Sequence, residues 1–379
     1  MQLRSLILLL AAGPLTLAAA QRPPALPPPV AQPVQPVPPA HAPVNPPVTP
    51  PANPPARPGS PPQARPSVPV PPSGQPVAPA VTFAPANPQS LADVQILVDR
   101  ASFSPGAIDG KRGSNTQRAV AAFQAAHGLP VTGNVDPATW QNLIAASGQQ
   151  TLVAYTITPA DVAGPFAPQI PPRLEEQAKL PGLFYTSPLE LLSERFHCTP
   201  ELLQALNPGA DFVAAGQTLR VPNVPPFVPW TKDQPMPDKA GLPADLRIVV
   251  SKSKSSLTVE NGDDVVFFAP VTSGSEHDPL PLGQWKVGGI SRAPVFHYNP
   301  KLFWDAKSTD TKATIPAGPN NPVGVVWIDL SKEHYGIHGT PEPKMIGKTT
   351  SHGCVRLTNW DAQTVASMVK AGTPVLFEP

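Results

Sequence analysis

Cysteine is almost absent from this chain, since its 379 residues include only Cys198 and Cys354. At most one intramolecular disulfide can therefore form, and in an exported protein such a bond is a reasonable first hypothesis. The residues around Cys198, which precede a predicted helix, favour a small buried apolar side chain instead. Cys354 stands among glycine and histidine residues, so its role has to be judged from that motif.

The chain also lacks an excess of either charge, with a formal net charge of +1 at pH 7. This balance gives no electrostatic reason to expect a nucleic acid or an anionic membrane as partner. Long apolar runs are missing beyond residues 1–20, so we expect no transmembrane segment. Residues 1–20 combine a short basic start, an apolar stretch and small residues before Gln21, which is the pattern of a secretory signal peptide. Export across the inner membrane to the periplasm or cell envelope is expected.

Acidic residues are missing from the segment that follows the predicted signal peptide. The stretch from residue 21 to residue 88 contains 27 of the 59 prolines and no aspartate or glutamate. Such a segment cannot bury a hydrophobic core and lacks many backbone donors. Residues 21–87 are therefore predicted to be a disordered, extended linker that acts as a spacer.

A first folded unit is predicted over residues 88–147. Apolar residues recur at helical spacing, His127-Gly128 is a typical helix stop, and Asp136-Pro137 supplies an N-cap and a first-turn proline. The unit resembles the peptidoglycan-binding domain of the first type, which implies a small three-helix domain that binds cell-wall peptidoglycan. The residues that carry this resemblance are Ile108, Asp109, Gly110, Gly113, Thr116, Ala119, Val120, Phe123, Gln124, Gly128, Leu129, Thr132, Gly133, Thr139 and Trp140.

Residues 151–224 form a second predicted unit, with two short helices at 188–195 and 200–206 and a closing strand. The unit resembles a LysM module, whose fold is βααβ and whose ligand is N-acetylglucosamine-containing glycan. A proline-rich insertion follows the first strand, and the family's glycine-aspartate-threonine is missing there, so glycan binding and a purely structural role both stay open. Residues 225–244 contain six prolines and are predicted to be a linker in which charges such as Lys239 are solvated.

From residue 245 to residue 379 the sequence changes to short strands. Asn261-Gly262 predicts a hairpin turn, and residues 361–371 predict the only clear helix. We therefore expect a multidomain chain whose last domain is a mostly-β sandwich or open barrel covered by one helix. The predicted strands are 247–250, 257–260, 265–272, 325–330, 335–337, 354–357 and 375–377.

Two short motifs in this last domain contain the groups of a thiol enzyme. Cys354 stands two residues after His352 and sixteen after His338, with glycines beside each histidine. A free cysteine, with a pKa of ~8.5, is mostly protonated at neutral pH, whereas the nucleophile is the thiolate. A neighbouring imidazole can take the proton and form a thiolate–imidazolium pair. The motifs therefore predict a cysteine acyltransferase.

These motifs resemble the signature of the L,D-transpeptidase catalytic domain, the YkuD family. The signature here is His338-Gly339-Thr340 followed by Ser351-His352-Gly353-Cys354-Val355-Arg356. Further matching segments stand in the family's order at residues 281–283, 299–300, 315–324 and 372–375. The resemblance implies the mostly-β fold, a peptidoglycan substrate, and a reaction that needs no metal or organic cofactor.

The resemblance also implies roles for individual residues. Cys354 matches the nucleophile and His338 the general base, whose imidazole we expect to meet the sulfur across adjacent strands. Oxyanion or orienting groups are expected at Gly353, His352 and Ser351, and substrate-binding groups at Arg356, Gly339 and Thr340.

Several alternatives to these roles stay open. His352 could be structural, Arg356 could be a surface or ion-pairing residue, and Thr340 could only fix its turn. His334, His338, His352 and Cys354 could in principle hold a metal, but their spacing lacks the usual close pair of ligands apart from His352 and Cys354, so we predict no metal site. His334 and His277 are expected to be solvated.

The implied reaction is peptidoglycan cross-linking. Cys354 would attack the third residue of a tetrapeptide stem, release the terminal D-Ala, and pass the acyl group to an amine of a second stem in a 3→3 cross-link. With water as acceptor the enzyme would be an L,D-carboxypeptidase, and with a lysine of a wall-anchored protein it would attach protein to the wall. A non-catalytic peptidoglycan-binding protein is the alternative from another class.

Overall fold

The computed structural model of this chain describes residues 90–239 and 241–379. The predicted signal peptide at 1–20 and the predicted linker at 21–87 lie outside the described residues. None of the helices in the described part of the chain is long and apolar enough to cross a bilayer.

The first unit contains three helices, whose ends follow from local sequence. Asp136 accepts a hydrogen bond from the backbone N–H of Thr139 at 2.7 Å, with Pro137 as the first helical residue, which confirms the predicted N-cap. The predicted stop is also confirmed, because the second helix ends before His127 and Gly128 has a φ of +65°. The helices are α1 (Leu91–Arg100), α2 (Ser114–Ala126) and α3 (Pro137–Ser147).

The second unit is closed by two antiparallel strands, β1 and β2, in which Ala154 pairs with Arg220. The two predicted helices lie between these strands along the chain, and the proline-rich insertion adds two further short helices. The elements are β1 (Leu152–Thr156), α4 (Pro159–Ala163), α5 (Leu174–Gln177), α6 (Pro188–Arg195), α7 (Pro200–Leu206) and β2 (Thr218–Pro222).

The last domain is built on a nine-stranded sheet. Its strand order is β5-β4-β3-β13-β7-β10-β11-β12-β6, with β3/β13 and β11/β12 as parallel pairs, while β8 and β9 form a separate hairpin. The multidomain, mostly-β fold class is thus confirmed. The strands are β3 (Leu246–Ser251), β4 (Ser256–Asn261), β5 (Asp264–Pro270), β6 (Thr272–Ser273), β7 (Gly283–Arg292), β8 (Phe296–Tyr298), β9 (Ala313–Ile315), β10 (Val326–Leu330), β11 (Gly336–His338), β12 (Val355–Arg356) and β13 (Pro374–Glu378).

One helix, α8 (Asn359–Met368), packs against β10 and β11 and buries Trp360 and Val365 in the core of the domain. It begins two residues earlier than the sequence predicted, because the Thr358 side chain caps the N-terminal turn by accepting from the N–H of Asp361 at 3.1 Å.

The first unit shares its core with the catalytic sheet. Phe268, on edge strand β5, is buried among the apolar side chains of α1 and α2. The N–H of Ser104 donates to the Phe268 carbonyl at 2.8 Å, and the N–H of Phe268 donates to Ser102 at 2.9 Å. The unit therefore covers an edge of the sheet whose N–H and C=O groups would otherwise be open to another chain.

The second unit is joined to both of its neighbours. Ile108 of the first unit is buried in the core of the second, and its backbone hydrogen bonds run to His197 and Thr199 at 2.8 and 2.9 Å. The insertion packs on the catalytic domain, where Leu183 exchanges backbone hydrogen bonds with Ala317 and Asn320 at 3.0 and 2.9 Å. The three units are thus packed as one body.

Residues 225–239 also pack on the catalytic domain, so the expectation of solvated charges in this segment is wrong for Lys239. Phe227 is buried in the main core, and the N–H of Trp230 donates to the Gln363 side chain at 2.9 Å. The Lys239 ammonium donates to the carbonyls of Ala366, at 2.7 Å, and Val369. A cation at the C-terminal end of α8 satisfies carbonyls that have no partner within the helix.

Candidate active site

A cavity of about 1500 Å³ opens at the face of β10, β11 and β12. Its far wall is the segment between β8 and β9 together with residues 172–175 of the insertion. Four of the predicted site residues line it, namely Cys354, His338, His352 and Arg356.

Adjacent parallel strands bring the predicted nucleophile and base to this cavity. In the β11/β12 pair Ile337 lies opposite Val355, so Cys354 stands immediately before β12 and His338 ends β11. His338 is buried, and its ring stacks on Trp327, its partner across the β10/β11 ladder, at 5.3 Å between centroids. This stacking limits the imidazole to one plane.

A main-chain carbonyl fixes the tautomer of His338. Nδ1 lies 2.7 Å from the carbonyl oxygen of Gly339, which can only accept a hydrogen bond, so Nδ1 carries the proton. Nε2 is then unprotonated and able to take a proton. Burial, with a further contribution from the Arg356 charge, lowers the pKa of His338 to about 3, so the imidazole is neutral at pH 7.

The thiol of Cys354 is also neutral at rest. Burial raises the pKa of Cys354 above its ordinary value, although the Gly336 N–H and the Arg356 charge act in the opposite direction. The sulfur donates its hydrogen bond to the His334 carbonyl oxygen at 3.8 Å, not to His338. Burial therefore disfavours the charged form of both groups at rest, and the expected thiolate–imidazolium pair stays a prediction.

Ser351 and Gly353 shape the turn that presents the thiol. The Ser351 hydroxyl donates to the carbonyl oxygen of Cys354 at 2.6 Å, so it holds the turn and does not orient the imidazole. Gly353 has a φ of +98°, and a Cβ there would lie 2.6 Å from the Tyr335 ring. Only glycine fits this position.

Gly339 and Thr340 lie beneath the cavity and not on its wall. A Cβ on Gly339 would stand 2.2 Å from Oδ1 of Asn359, so the close approach predicted for this glycine is to α8 and not to substrate. Thr340 is buried, and its hydroxyl accepts from the N–H of Glu342 at 3.2 Å. The expected substrate-binding role is replaced in both cases by a structural one.

His352 faces the segment between β8 and β9. Its Nε2 lies 2.9 Å from Asp305, and its ring meets that of Phe303 edge-on at 4.9 Å. His277 is exposed, as expected, and its ring stacks on Trp304 of the same segment at 4.2 Å. Of these rings, those of His352 and Phe303 line the cavity together with Cys354.

Arg356 supplies a positive charge beside the reacting groups. Its side chain lines the cavity, and its Nε is buried without a hydrogen-bond partner in the described part of the chain. A carboxylate is the partner that a guanidinium best accommodates, as a bidentate pair.

Trp327, Tyr335 and Asp278 are among the cavity residues that sequence reasoning missed. Trp327 was detectable, because alternation along β10 places it on the face opposite the core. Tyr335 packs on Gly353, and Asp278 has one buried carboxylate oxygen without a partner in the described residues. No local pattern indicates that Asp278 reaches this cavity, because it comes from the loop after β6.

Other kinds of site are not seen in residues 90–239 and 241–379. No group of three or more His, Cys, Asp or Glu side chains is placed there to hold a metal ion. Both cysteines are free, and burial raises the pKa of Cys198 far above its ordinary value, so this thiol is inert.

Two family models match this chain. Residues 245–376 match the L,D-transpeptidase catalytic domain (YkuD), and residues 87–143 match a peptidoglycan-binding domain. A Bacillus licheniformis protein that carries the name L,D-transpeptidase YkuD is 30% identical over 195 residues, which is 50% of this chain and 93% of the relative. A probable L,D-transpeptidase of Escherichia coli K12, YbiS, is 30% identical over 198 residues, or 51% of this chain and 60% of the relative.

Among solved structures, an L,D-transpeptidase from Mycobacterium smegmatis has a TM-score of 0.30 and 18% identity, and covers 36% of this chain and 59% of its own. At this TM-score the likeness adds nothing to the assignment, which rests on the family models and on the relatives. The chain belongs to the L,D-transpeptidase family and carries its catalytic domain behind a peptidoglycan-binding domain.

Proposed function

We propose that this protein cross-links peptidoglycan through a thioester on Cys354, with His338 as the base. The observation that carries the proposal is the state of His338, whose Nδ1–H is donated to Gly339 while Nε2 stays free in the cavity that Cys354 lines. The family membership supports the reaction type, and the peptidoglycan-binding domain supports the substrate. Export to the cell envelope, expected from residues 1–20, would bring the enzyme to that substrate.

In the first half-reaction the Cys354 thiol transfers its proton to Nε2 of His338 as the sulfur attacks the carbonyl of the third stem residue. The bond to the terminal D-Ala then breaks, and the imidazolium returns the proton to the leaving amine. Because both groups are neutral at rest, the proton moves from the sulfur to Nε2 only as the sulfur attacks. The N–H groups of Gly353 and Cys354 are the proposed donors to the oxyanion.

In the second half-reaction the amine of a second stem attacks the thioester. It loses a proton to His338, the C–S bond breaks, and the proton passes to the sulfur. Arg356 is the proposed partner of a stem carboxylate, since its side chain lines the cavity and its buried Nε has no partner among the residues that the structure describes. The first two units are proposed to hold the enzyme on the wall, which raises the local concentration of stems.

Mass spectrometry of products tests this function. Mature protein is incubated with disaccharide-tetrapeptide beside Cys354→Ala and, as a matched thiol control, Cys198→Ala. The proposal predicts a dimer that has lost one D-Ala with wild type and Cys198→Ala, and none with Cys354→Ala. Loss of D-Ala without a dimer would indicate water as acceptor, or an acyl-enzyme that lacks its protein acceptor. No reaction at all would contradict the proposal and favour a binding protein.

A further inference from the structure

A buried carboxylate of the second unit contacts the catalytic domain beneath the base. Glu194, on α6, is buried, and both of its carboxylate oxygens lie 3.2 Å from Nδ2 of Asn359, the first residue of α8. The Tyr185 hydroxyl donates to the same carboxylate at 3.1 Å. No cation forms an ion pair with Glu194 in the part of the chain that the structure describes. Because a buried acid without a cation costs folding free energy, its presence calls for a reason.

The contact with Glu194 sets the orientation of the Asn359 amide. Nδ2 also donates to the carbonyl of Pro319 at 3.1 Å, so two acceptors hold the NH₂ group on one side. The amide oxygen is thereby turned toward the N–H of Val325, from which it accepts at 3.3 Å.

The Asn359 oxygen supports the segment that carries the base. A Cβ on Gly339 would lie 2.2 Å from this oxygen, and one on Gly324 would lie 2.1 Å from it, so the backbone rests directly on the amide. The Gly339 carbonyl is in turn the group that accepts from Nδ1 of His338 at 2.7 Å. A continuous series of contacts therefore runs from the second unit to the catalytic imidazole.

We propose that Glu194 is a positioning residue for the catalytic base, acting through Asn359 on the Gly339 carbonyl that fixes the tautomer of His338. The inference rests on the proposed function, in which His338 is the base. It makes the second unit a structural part of the active site as well as a candidate wall-binding module. Either protonation state of Glu194 leaves a carboxyl oxygen to accept from Asn359, so the support persists across the physiological pH range.

Three variants test the role, with turnover of soluble tetrapeptide as the readout. Glu194→Ala removes the acceptor, Glu194→Gln keeps an oxygen for Asn359, and Val221→Ala perturbs the core of the same unit away from Asn359. We expect Glu194→Ala to lower kcat about ten- to a hundredfold with KM nearly unchanged, the size that a small misplacement of a catalytic group produces. Glu194→Gln should restore most of kcat, and Val221→Ala should keep it.

A second readout needs no substrate. The rate of Cys354 alkylation by iodoacetamide is measured against pH for the same variants, because proton transfer to His338 promotes attack by the thiol. Glu194→Ala should shift this profile, and Glu194→Gln should not. If the wild-type protein did not turn over the stem peptide, the proposed function would fail, but the alkylation profiles would still show whether Glu194 positions His338. Two results together would overturn the proposal. The alkylation profile of Glu194→Ala would match that of wild type, and kcat in both Glu194→Ala and Val221→Ala would fall only in proportion to the fall in Tm.

Discussion

Buried side chains differ in their hydrogen-bond partners between the catalytic cavity and the junction, the interface around Asp99, His197 and Asp361 at which the three units meet. In the cavity, Arg356 Nε, Asp278 Oδ2 and His352 Nδ1 are buried without a hydrogen-bond partner in the described part of the chain. Leaving a buried polar atom unpaired costs about 1–3 kcal/mol, so such atoms are expected where a ligand satisfies them.

At the junction, by contrast, the buried carboxyl groups of Asp99 and Asp361 have partners from another unit. Asp99 of α1 lies 2.9 Å from His197 of the second unit, whose ring stacks on Trp360 of α8 at 5.1 Å. Asp361 accepts from the Ser104 hydroxyl at 2.9 Å. The comparison indicates that the carboxyl groups of Asp99 and Asp361 stabilise the assembly of units, whereas the unpaired polar groups in the cavity are arranged for a ligand.

The largest effect is expected from the cavity itself. His338→Gln removes the only proposed base, so turnover of soluble tetrapeptide should fall about 10²- to 10⁴-fold with the fold retained in circular dichroism. His127→Gln, which replaces a histidine in the first unit, is the control and should keep turnover. Near wild-type rates for His338→Gln would mean that another group takes the proton.

At the junction, packing should dominate stability. Phe268→Ala removes a ring that the first unit shares with edge strand β5, and should lower the free energy of unfolding by about 3–5 kcal/mol in urea denaturation. Leu302→Ala, at the exposed rim of the cavity, should change it by less than about 0.5 kcal/mol. Equal effects of the two substitutions would remove the distinction between the regions.

The junction also predicts a pH dependence of stability. Burial raises the pKa of Glu194 to about 8, and burial together with the Asp99 charge raises the pKa of Asp361 to about 7. The folded state keeps these two protons after the unfolded chain has released them near pH 4, so both groups lower stability as pH rises from about 4 to about 8. His338, with its pKa lowered to about 3, acts in the opposite direction up to about pH 6.5, so the two carboxyl groups together should outweigh it and stability should fall.

Thermal unfolding across this pH range checks the prediction. Asp361→Asn should reduce the decrease in Tm with rising pH below pH 7. Asp263→Asn, in an exposed turn, should leave that decrease unchanged. A stability that rises steadily from pH 4 to pH 8 in wild type would contradict the sign derived from these two pKa shifts.

The smallest effect is expected from an exposed ion pair. Lys344, in the loop between the base and the nucleophile, lies 2.6 Å from Glu201 of α7, and both side chains are more than half exposed. Water and salt screen such a pair, so Lys344→Ala should cost less than about 1 kcal/mol in urea denaturation. A double-mutant cycle with Glu201→Ala would reveal a stronger coupling if one exists.

The reacting residues of the site were predictable because they stand in two short sequence motifs. The spacing of His338 and Cys354, the glycine at 353 and the caps at Asp136 and Gly128 are local features, and local features fixed the corresponding turns. The mostly-β fold class followed from the same short-range patterns.

The junction could not be predicted in this way. Phe268 belongs to the catalytic domain but packs into the core of the first unit, and Ile108 belongs to the first unit but packs into the core of the second. The local sequence around each residue indicates only the unit to which its segment belongs. The pKa values of Cys354 and His338 likewise depend on burial by distant strands, which reference pKa values do not include. Contacts of large sequence separation leave no periodic signal in the residues that make them.

The most direct test of the account is to identify the covalent intermediate. Mature protein mixed with disaccharide-tetrapeptide is quenched rapidly in acid, digested, and mapped by mass spectrometry. The account predicts that the peptide containing Cys354 gains the mass of the disaccharide-tetrapeptide less one molecule of D-Ala, which leaves on acylation, and that Cys198 gains nothing. Cross-linked product formed while Cys354 is never acylated, or an adduct on another residue, would contradict it.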